Sequence, residues 1–190
     1  MKALRVHLAR VPERAEERRV AEIVIRDAQE SDAESIAAIY AHHVLTGTAS
    51  YDVEPPSVVA TRDKIWRITK AGWPFLVAEI NGQVAGYAYV TQFRDRPAYR
   101  YTAEDSIYVD PDYMRRGVGR ALLEALLPSA ANYGFRTVIA VVGGAEPASI
   151  ALHKACGFDE VGQLRRAGFK FGRWLDNVYM QIDLREADET

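Results

Sequence analysis

A short segment with two glycines and three arginines is the part of the sequence best suited to chemistry. Residues 114–120 read MRRGVGR and follow a β-type run at residues 106–109. Glycine lets the backbone approach a ligand closely. The unpaired N–H groups at the start of the next helix form a phosphate site that the helix dipole strengthens. Arg115, Arg116 and Arg120 would add charge-assisted contacts to a bound anion. The segment therefore predicts a site for a phosphorylated ligand.

Two other phosphate-binding patterns do not fit this segment. A dinucleotide-binding fingerprint requires a third small residue where this chain has Leu122. A P-loop requires a closing Gly-Lys-Ser/Thr run, which is missing. A Gly-x-Gly pair also occurs as a plain turn at the start of a helix, and these residues alone leave that alternative open.

An ordered series of strands and helices must position the loop. Strand patterns occur near residues 23–25, 75–80, 84–90, 103–109, 136–142 and 178–184. Helices are expected after the capping-box pair Ser31 and Glu34, over residues 62–70, after the glycine-rich loop, and over residues 147–156. Asn81-Gly82 predicts a tight hairpin. The order βααβββαβαβ favours an α+β (mixed α/β) fold with a central, mostly antiparallel twisted sheet flanked by helices.

Composition narrows the function classes. We expect one domain at residues 22–185, an N-terminal extension at 1–21 and a C-terminal tail at 186–190. The apolar runs are too short for a membrane span, and the N-terminus lacks the apolar stretch of a secretory signal, so a cytoplasmic protein without a membrane partner is expected. The net charge of −2 gives no reason to expect a nucleic-acid partner. The one cysteine and the adjacent pair His42 and His43 do not make a metal site, and none is expected.

Three separated segments resemble the Gcn5-related N-acetyltransferase superfamily. They are the strand at 106–109, the loop at 114–120, and the run SIALHKACGF at 149–158. The resemblance implies acetyl-CoA as co-substrate, with its pyrophosphate on the loop and its pantetheine along the strand. The residues expected to contact it are Ile107, Tyr108, Val109, Arg115, Arg116, Gly117, Val118, Gly119, Arg120 and Glu146. Two positions depart from the family pattern: Met114 replaces the usual Gln or Arg, and Glu146 replaces the usual Asn.

Three further segments resemble a narrower group, the phosphinothricin and methionine sulfoximine N-acetyltransferases. They read TGTASYDVE at 46–54, FRDRPAYRYTAEDSIYV at 93–109 and GFKFGRWLD at 168–176. The resemblance implies acetylation of the α-amine of a small amino acid analogue by a homodimer. By position, Glu104 matches the catalytic carboxylate, Arg96 the substrate-facing arginine, and Tyr51 an aromatic residue bordering the substrate. The other residues expected on the substrate side are Phe93, Arg94 and Tyr99.

Acetyl transfer to an amine requires a base, an oxyanion donor and a proton for the departing thiolate. Glu104 is the expected base, which requires that burial raise its pKa toward that of the amine. The main-chain N–H of Val109 is the expected oxyanion donor. His153 either protonates the CoA thiolate or packs and hydrogen-bonds within its helix, and the sequence favours neither.

Other functions stay open at this stage. Acetylation of another small amine or of a protein N-terminus is one alternative, and a non-catalytic acyl-CoA-binding domain is another. The presence of Glu104 beside the intact loop argues against the second. The arginines between residues 94 and 100 favour a small anionic substrate, although they could instead form a solvated basic loop.

Overall fold

The computed structural model describes residues 22–184, so the predicted extension 1–21 and residues 185–190 lie outside the described part. Eleven helices and strands follow one another along the chain. They are β1 (Ile23–Asp27), α1 (Ala33–Thr46), α2 (Val58–Lys70), β2 (Phe75–Ile80), β3 (Gln83–Gln92), β4 (Thr102–Val109), α3 (Val118–Tyr133), β5 (Thr137–Gly143), α4 (Pro147–Ala155), β6 (Asp159–Lys170) and β7 (Arg173–Asp183).

The strands form one sheet in the order β1-β2-β3-β4-β5-β7-β6. Every neighbouring pair is antiparallel except β4 and β5, which are parallel and are joined through α3. The predicted α+β fold with a mostly antiparallel sheet is therefore confirmed. The candidate site lies at the parallel pair of β4 and β5, in the middle of the sheet.

Helices cover both faces of the sheet. On one face, α3 buries Val118, Leu122 and Leu126, spaced four residues apart and at most 1% exposed. This spacing brings the three side chains onto one side of the helix. On the other face, α1 and α2 pack against aromatic residues of β2 and β3 in a second core cluster. The two cores hold these helices against opposite faces of the sheet.

The β2–β3 hairpin follows the predicted turn. Ile80 pairs with Gln83, so the loop contains only Asn81 and Gly82. Their φ angles are +54° and +76°. Two central residues with positive φ are what a type I′ turn needs, and its twist matches that of the flanking strands.

Two expectations about the elements are wrong. Ser31 does not cap α1, because it lies inside a 3-10 turn, Glu30–Asp32, and the helix begins at Ala33. Asp32 precedes α1 without a side-chain cap, and its carboxylate instead closes the 3-10 turn by accepting a hydrogen bond from the amide of Gln29 at 2.7 Å. The predicted order also lacks β6. Nearly every residue of that edge strand is exposed, and its register with β7 shifts twice, so no apolar alternation marks it.

Candidate active site

The site begins where β4 and β5 separate. The two strands pair only over Thr102 to Glu104, which face Thr137 to Ile139. Beyond Glu104, β4 stays paired with β3 on its other side as far as Val109. A cleft of about 320 Å³ opens between the diverging strands.

Main-chain groups of β4 face this opening. Hydrogen-bonded and non-bonded pairs alternate along an antiparallel ladder. The amide of Asp110 donates to the carbonyl of Ala85 at 3.0 Å, so Ile107 and Val109, at odd positions, direct their N–H and C=O groups away from β3. In agreement, the carbonyl of Val109 accepts a hydrogen bond from Nε2 of His43 at 2.8 Å. The expected oxyanion donor, the Val109 N–H, thus lies on the open edge of β4.

Several of the predicted site residues meet in the cleft. Those that line it are Tyr51, Glu104, Ile107, Tyr108, Glu146 and His153. Phe93, Arg94, Arg96 and Tyr99 do not line it. They lie on the arm between β3 and β4, where the Arg94 guanidinium stacks 4.4 Å from the centre of the Phe93 ring and Arg96 is exposed.

The glycine-rich loop leads into α3 as predicted. Gly117 precedes the helix with a φ of +86°, which favours glycine. A Cβ on Gly119 would lie 3.0 Å from Cδ2 of Leu152 and 3.6 Å from Cγ2 of Val109. Gly119 therefore lets α3 pack closely on α4 and β4. Arg120 is already engaged, because its Nε donates to Oε1 of Glu124 at 2.7 Å.

Glu104 has the environment of a base. Its side chain is half-buried at the point where the strands part. Burial raises the pKa of the Glu104 carboxyl; the charge of Arg94 opposes this change and that of Asp105 adds to it. Within residues 22–184 no hydrogen bond contributes to this shift. The carboxylate is therefore free to accept a proton from a ligand.

His153 and Asp105 form a buried pair on the opposite face of β4. Nδ1 of His153 donates to the carbonyl of Ser149 at 2.8 Å, and Nε2 donates to Oδ2 of Asp105 at 3.1 Å. The carbonyl can only accept, so Nδ1 carries a proton, and Nε2 carries a second one when the ring is charged. Burial alone would lower the pKa of His153, but the hydrogen bond and charge of Asp105 outweigh it and the pKa is raised. The other oxygen of Asp105, Oδ1, is buried without a partner among the described residues.

The segment 168–176 holds the loop between α1 and α2 in place. The Tyr51 hydroxyl donates to the carbonyl of Asp176 at 3.1 Å and accepts from the amide of Gly144 at 3.2 Å. Nζ of Lys170 donates to the carbonyls of Gly47 and Ser50 at 3.1 and 2.7 Å. The resemblance of segment 168–176 to the narrower group gave no sign that Lys170 is the buried anchor of the loop.

The described residues show neither a membrane-spanning helix nor a metal-binding cluster. None of the helices between residues 22 and 184 is both long and apolar enough to cross a membrane. Within the same range, no group of three or more His, Cys, Asp or Glu residues could hold a metal ion.

Comparison with known proteins gives consistent matches over most of the chain. The family profile described as an acetyltransferase (GNAT) domain matches residues 25–179. A phosphinothricin N-acetyltransferase of Alcaligenes faecalis is 47% identical over 167 residues, 87% of this chain and 85% of that protein. An L-methionine sulfoximine/L-methionine sulfone acetyltransferase of Salmonella typhimurium is 38% identical over 167 residues, 86% of this chain and 96% of that protein.

A solved structure shares the fold closely. It is a phosphinothricin acetyltransferase from Sinorhizobium meliloti in complex with acetyl-CoA, with a TM-score of 0.85 and 46% identity. The match covers 88% of this chain and 91% of that one.

Proposed function

This chain belongs to the GNAT acetyltransferase family, and we propose that it moves the acetyl group of acetyl-CoA to the α-amine of a small amino acid analogue. Phosphinothricin, methionine sulfoximine and methionine sulfone are the acceptors proposed, in keeping with the names of the relatives. One observation carries the proposal: Glu104, half-buried and with a raised pKa, lies where β4 and β5 part. This is the position at which an amine between the strands would meet a base.

Acetyl-CoA binds with its pyrophosphate at the start of α3 in this proposal. The left-handed Gly117 and the arginines of the loop support it, because close backbone approach and positive charge both favour a phosphate. The pantetheine lies along β4, where Ile107 and Val109 offer main-chain groups that β5 does not use. The Val109 N–H then donates to the thioester oxygen as it gains charge.

Glu104 accepts the amine proton directly or through water. The amine nitrogen attacks the thioester carbon, the C–S bond breaks, and the thiolate of CoA takes up a proton. His153 is one candidate donor of that proton. Its contacts favour the alternative role, packing and hydrogen bonding, because both N–H groups are engaged by Ser149 and Asp105.

Tyr51 borders the acceptor, and its two hydrogen bonds fix its ring at the wall of the cleft. Arg96 is expected to bind the α-carboxylate with two parallel hydrogen bonds. Because Arg96 is exposed, this role requires the arm between β3 and β4 to move toward the cleft when the acceptor binds. Arg94, on the same segment, lies near enough for its charge to lower the pKa of Glu104.

A homodimer is also proposed, through the outer hairpin of β6 and β7. This hairpin carries apolar side chains that are each more than half exposed: Val161, Leu164, Phe169, Phe171 and Trp174. β6 is also an edge strand, and Phe169 and Trp174 pack against each other on this hairpin with ring centres 5.3 Å apart, so an unpaired edge and exposed apolar rings together favour a protein contact. Sedimentation equilibrium measures the mass directly, and a monomer at micromolar concentration would contradict this proposal. A cytoplasmic location is proposed with it.

A thiol-release assay tests the function. Purified protein is given acetyl-CoA with the three analogues, with simple amines lacking a carboxylate, and with a peptide bearing a free N-terminus. Acetylation of the analogues is expected. Preference for the carboxylate-free amines or for the peptide would refute the proposed substrate class.

The variant Glu104→Gln tests the base. It should lower kcat by about 100-fold or more while the KM for acetyl-CoA stays unchanged. The wild-type acidic limb of kcat/KM should lie above the ordinary Glu pKa of 4.5 and vanish in the variant. Glu34→Gln, on the exposed side of α1, is the matched control. Full turnover in Glu104→Gln at every pH would exclude Glu104 as the base.

A further inference from the structure

A second chamber lies behind the cleft, between α1, α2 and the sheet. Its volume is about 210 Å³. Tyr40 and Tyr89 line both the chamber and the cleft, so these two rings form the partition between the two spaces. Nothing proposed so far for the reaction uses this chamber.

The chamber lies on the same face of the sheet as Glu104. Tyr89 pairs with Ser106, two residues beyond Glu104, and residues two apart on a strand project from the same face. Glu104 and Tyr89 are therefore diagonal neighbours, with Cα atoms roughly 7–8 Å apart. An acceptor whose amine is at Glu104 can extend its far end over Tyr89.

Lys64 places a positive charge at the partition. Its Nζ lies 4.3 Å from the centre of the Tyr89 ring and 5.7 Å from that of Tyr40, and it donates a hydrogen bond to the Tyr89 hydroxyl. Within residues 22–184 no carboxylate forms an ion pair with Lys64. The ammonium group thus keeps two N–H donors, and the Tyr89 hydroxyl, which accepts from Lys64, keeps its own O–H donor.

The other charged groups of the chamber do not cancel Lys64. Arg67 adds a second positive charge to the lining, and Asp52 is the one acidic residue in it. Asp52 is exposed, and its Oδ2 already accepts the hydroxyl of Tyr40 at 2.7 Å. The partition therefore offers unused donors and a net positive charge, which suits an oxygen-rich or anionic end group.

We propose that this chamber is the subsite for the far end of the acceptor and that Lys64, with the Tyr89 hydroxyl, binds the oxygen atoms of its polar end group. The inference rests on the proposed function, since it needs an acceptor whose amine lies at Glu104. The α-carboxylate is attached to the same carbon as the amine and must stay near Glu104. The group that reaches Lys64 is therefore the end of the side chain, and Lys64 determines specificity for it.

Methionine sulfone and methionine form the sharpest pair of probes, because they differ only in two oxygen atoms on sulfur. Wild-type protein should prefer the sulfone. Lys64→Met should lower kcat/KM for the sulfone by about 10- to 100-fold, as expected for the loss of a hydrogen bond to a charged donor. The same variant should change kcat/KM for methionine only slightly. Tyr89→Phe should give the same pattern with a smaller loss.

Lys70→Met is the matched control. Lys70 lies on the same helix and also sits over an aromatic ring, that of Trp66 at 4.3 Å, but it does not line the chamber. The Lys70→Met variant should leave kcat/KM for both acceptors unchanged. Melting temperature and the KM for acetyl-CoA show whether each variant is folded.

The outcomes separate the two proposals. If wild-type protein acetylates neither of these two amino acids and neither phosphinothricin nor methionine sulfoximine, the proposed function fails, and the subsite with it. If it acetylates only phosphinothricin or methionine sulfoximine, the proposed function stands and the subsite is overturned. If wild type acetylates both equally, or if Lys64→Met weakens both to the same extent, the proposed function stands and the subsite is overturned, because Lys64 would then only hold Tyr89 in place.

Discussion

Substitution of Gly168 by alanine tests how β6 holds the acceptor side of the site. A Cβ at Gly168 would overlap Cε2 of the Tyr51 ring and lie 2.6 Å from its Cδ2. The ring cannot turn away freely, because its hydroxyl bonds both the carbonyl of Asp176 and the amide of Gly144. Alanine at 168 must therefore displace Tyr51 or shift the strand.

Gly162 provides the matched control on the same strand. A Cβ there meets nothing within 4 Å, and neither glycine has a left-handed φ. Gly162→Ala should gain about 0.5–1 kcal/mol from the lower backbone entropy of the unfolded chain. Gly168→Ala has the same entropic gain in stability, but overpacking against the Tyr51 ring lowers stability by about 1–3 kcal/mol. The two variants should therefore differ by about 1–3 kcal/mol, or roughly 2–12 °C in Tm.

Urea denaturation measures this difference in unfolding free energy. Steady-state kinetics with the acceptor tests the effect of Gly168→Ala on the site. Gly168→Ala should raise the KM for the acceptor and leave that for acetyl-CoA unchanged. In a Tyr51→Ala background the cost of Gly168→Ala should vanish, giving a coupling energy of about 1–3 kcal/mol. Equal stability of the Gly168 and Gly162 variants, or the same cost without the Tyr51 ring, would refute the reasoning.

Two further predictions concern the cofactor loop and the buried pair. Gly117→Val should weaken acetyl-CoA binding strongly, because valine cannot adopt a φ of +86° without strain; calorimetry showing wild-type affinity would remove the loop from the cofactor site. The raised pKa of His153 means that its pair with Asp105 stabilises the fold fully below about pH 6.5 and less as the pH rises through the raised pKa. In Asp105→Asn burial lowers the pKa of His153 instead, so the loss of unfolding free energy with rising pH should disappear or reverse in urea titrations from about pH 5.5 to 8.5. If unfolding free energy changed with pH as it does in the wild type, another titrating group would be responsible for the dependence.

Local patterns predicted those parts of the fold that local forces determine. The Asn81-Gly82 turn follows from two residues that tolerate positive φ, whatever surrounds them. The edge strand β6 could not be predicted in this way. Its side chains face solvent on nearly the whole strand, so β7 and its register shifts determine it, not its own apolar pattern.

The residues of the site also differ in whether local sequence or the completed fold brings them together. Glu104 and the loop before α3 lie close together in sequence, and the single strand β4 joins them, so the local order of strand, loop and helix is enough to place both. Lys170 and Ser50, by contrast, are 120 residues apart, and only the completed sheet joins them. Lys64 and Tyr89 meet for a similar reason, since their contact depends on how α2 packs across the sheet.

The separation of β4 from β5 has a consequence for how this family can diversify. If the cofactor is held mainly by the backbone of Ile107 and Val109, as proposed, the side chains at these positions need only pack against Gly119. Mutational drift there leaves cofactor use intact. In the same proposal the acceptor meets side chains from the α1–α2 loop, α2 and the segment between β3 and β4. Laboratory evolution aimed at new acceptors should therefore randomise these three elements and leave β4 and the start of α3 untouched.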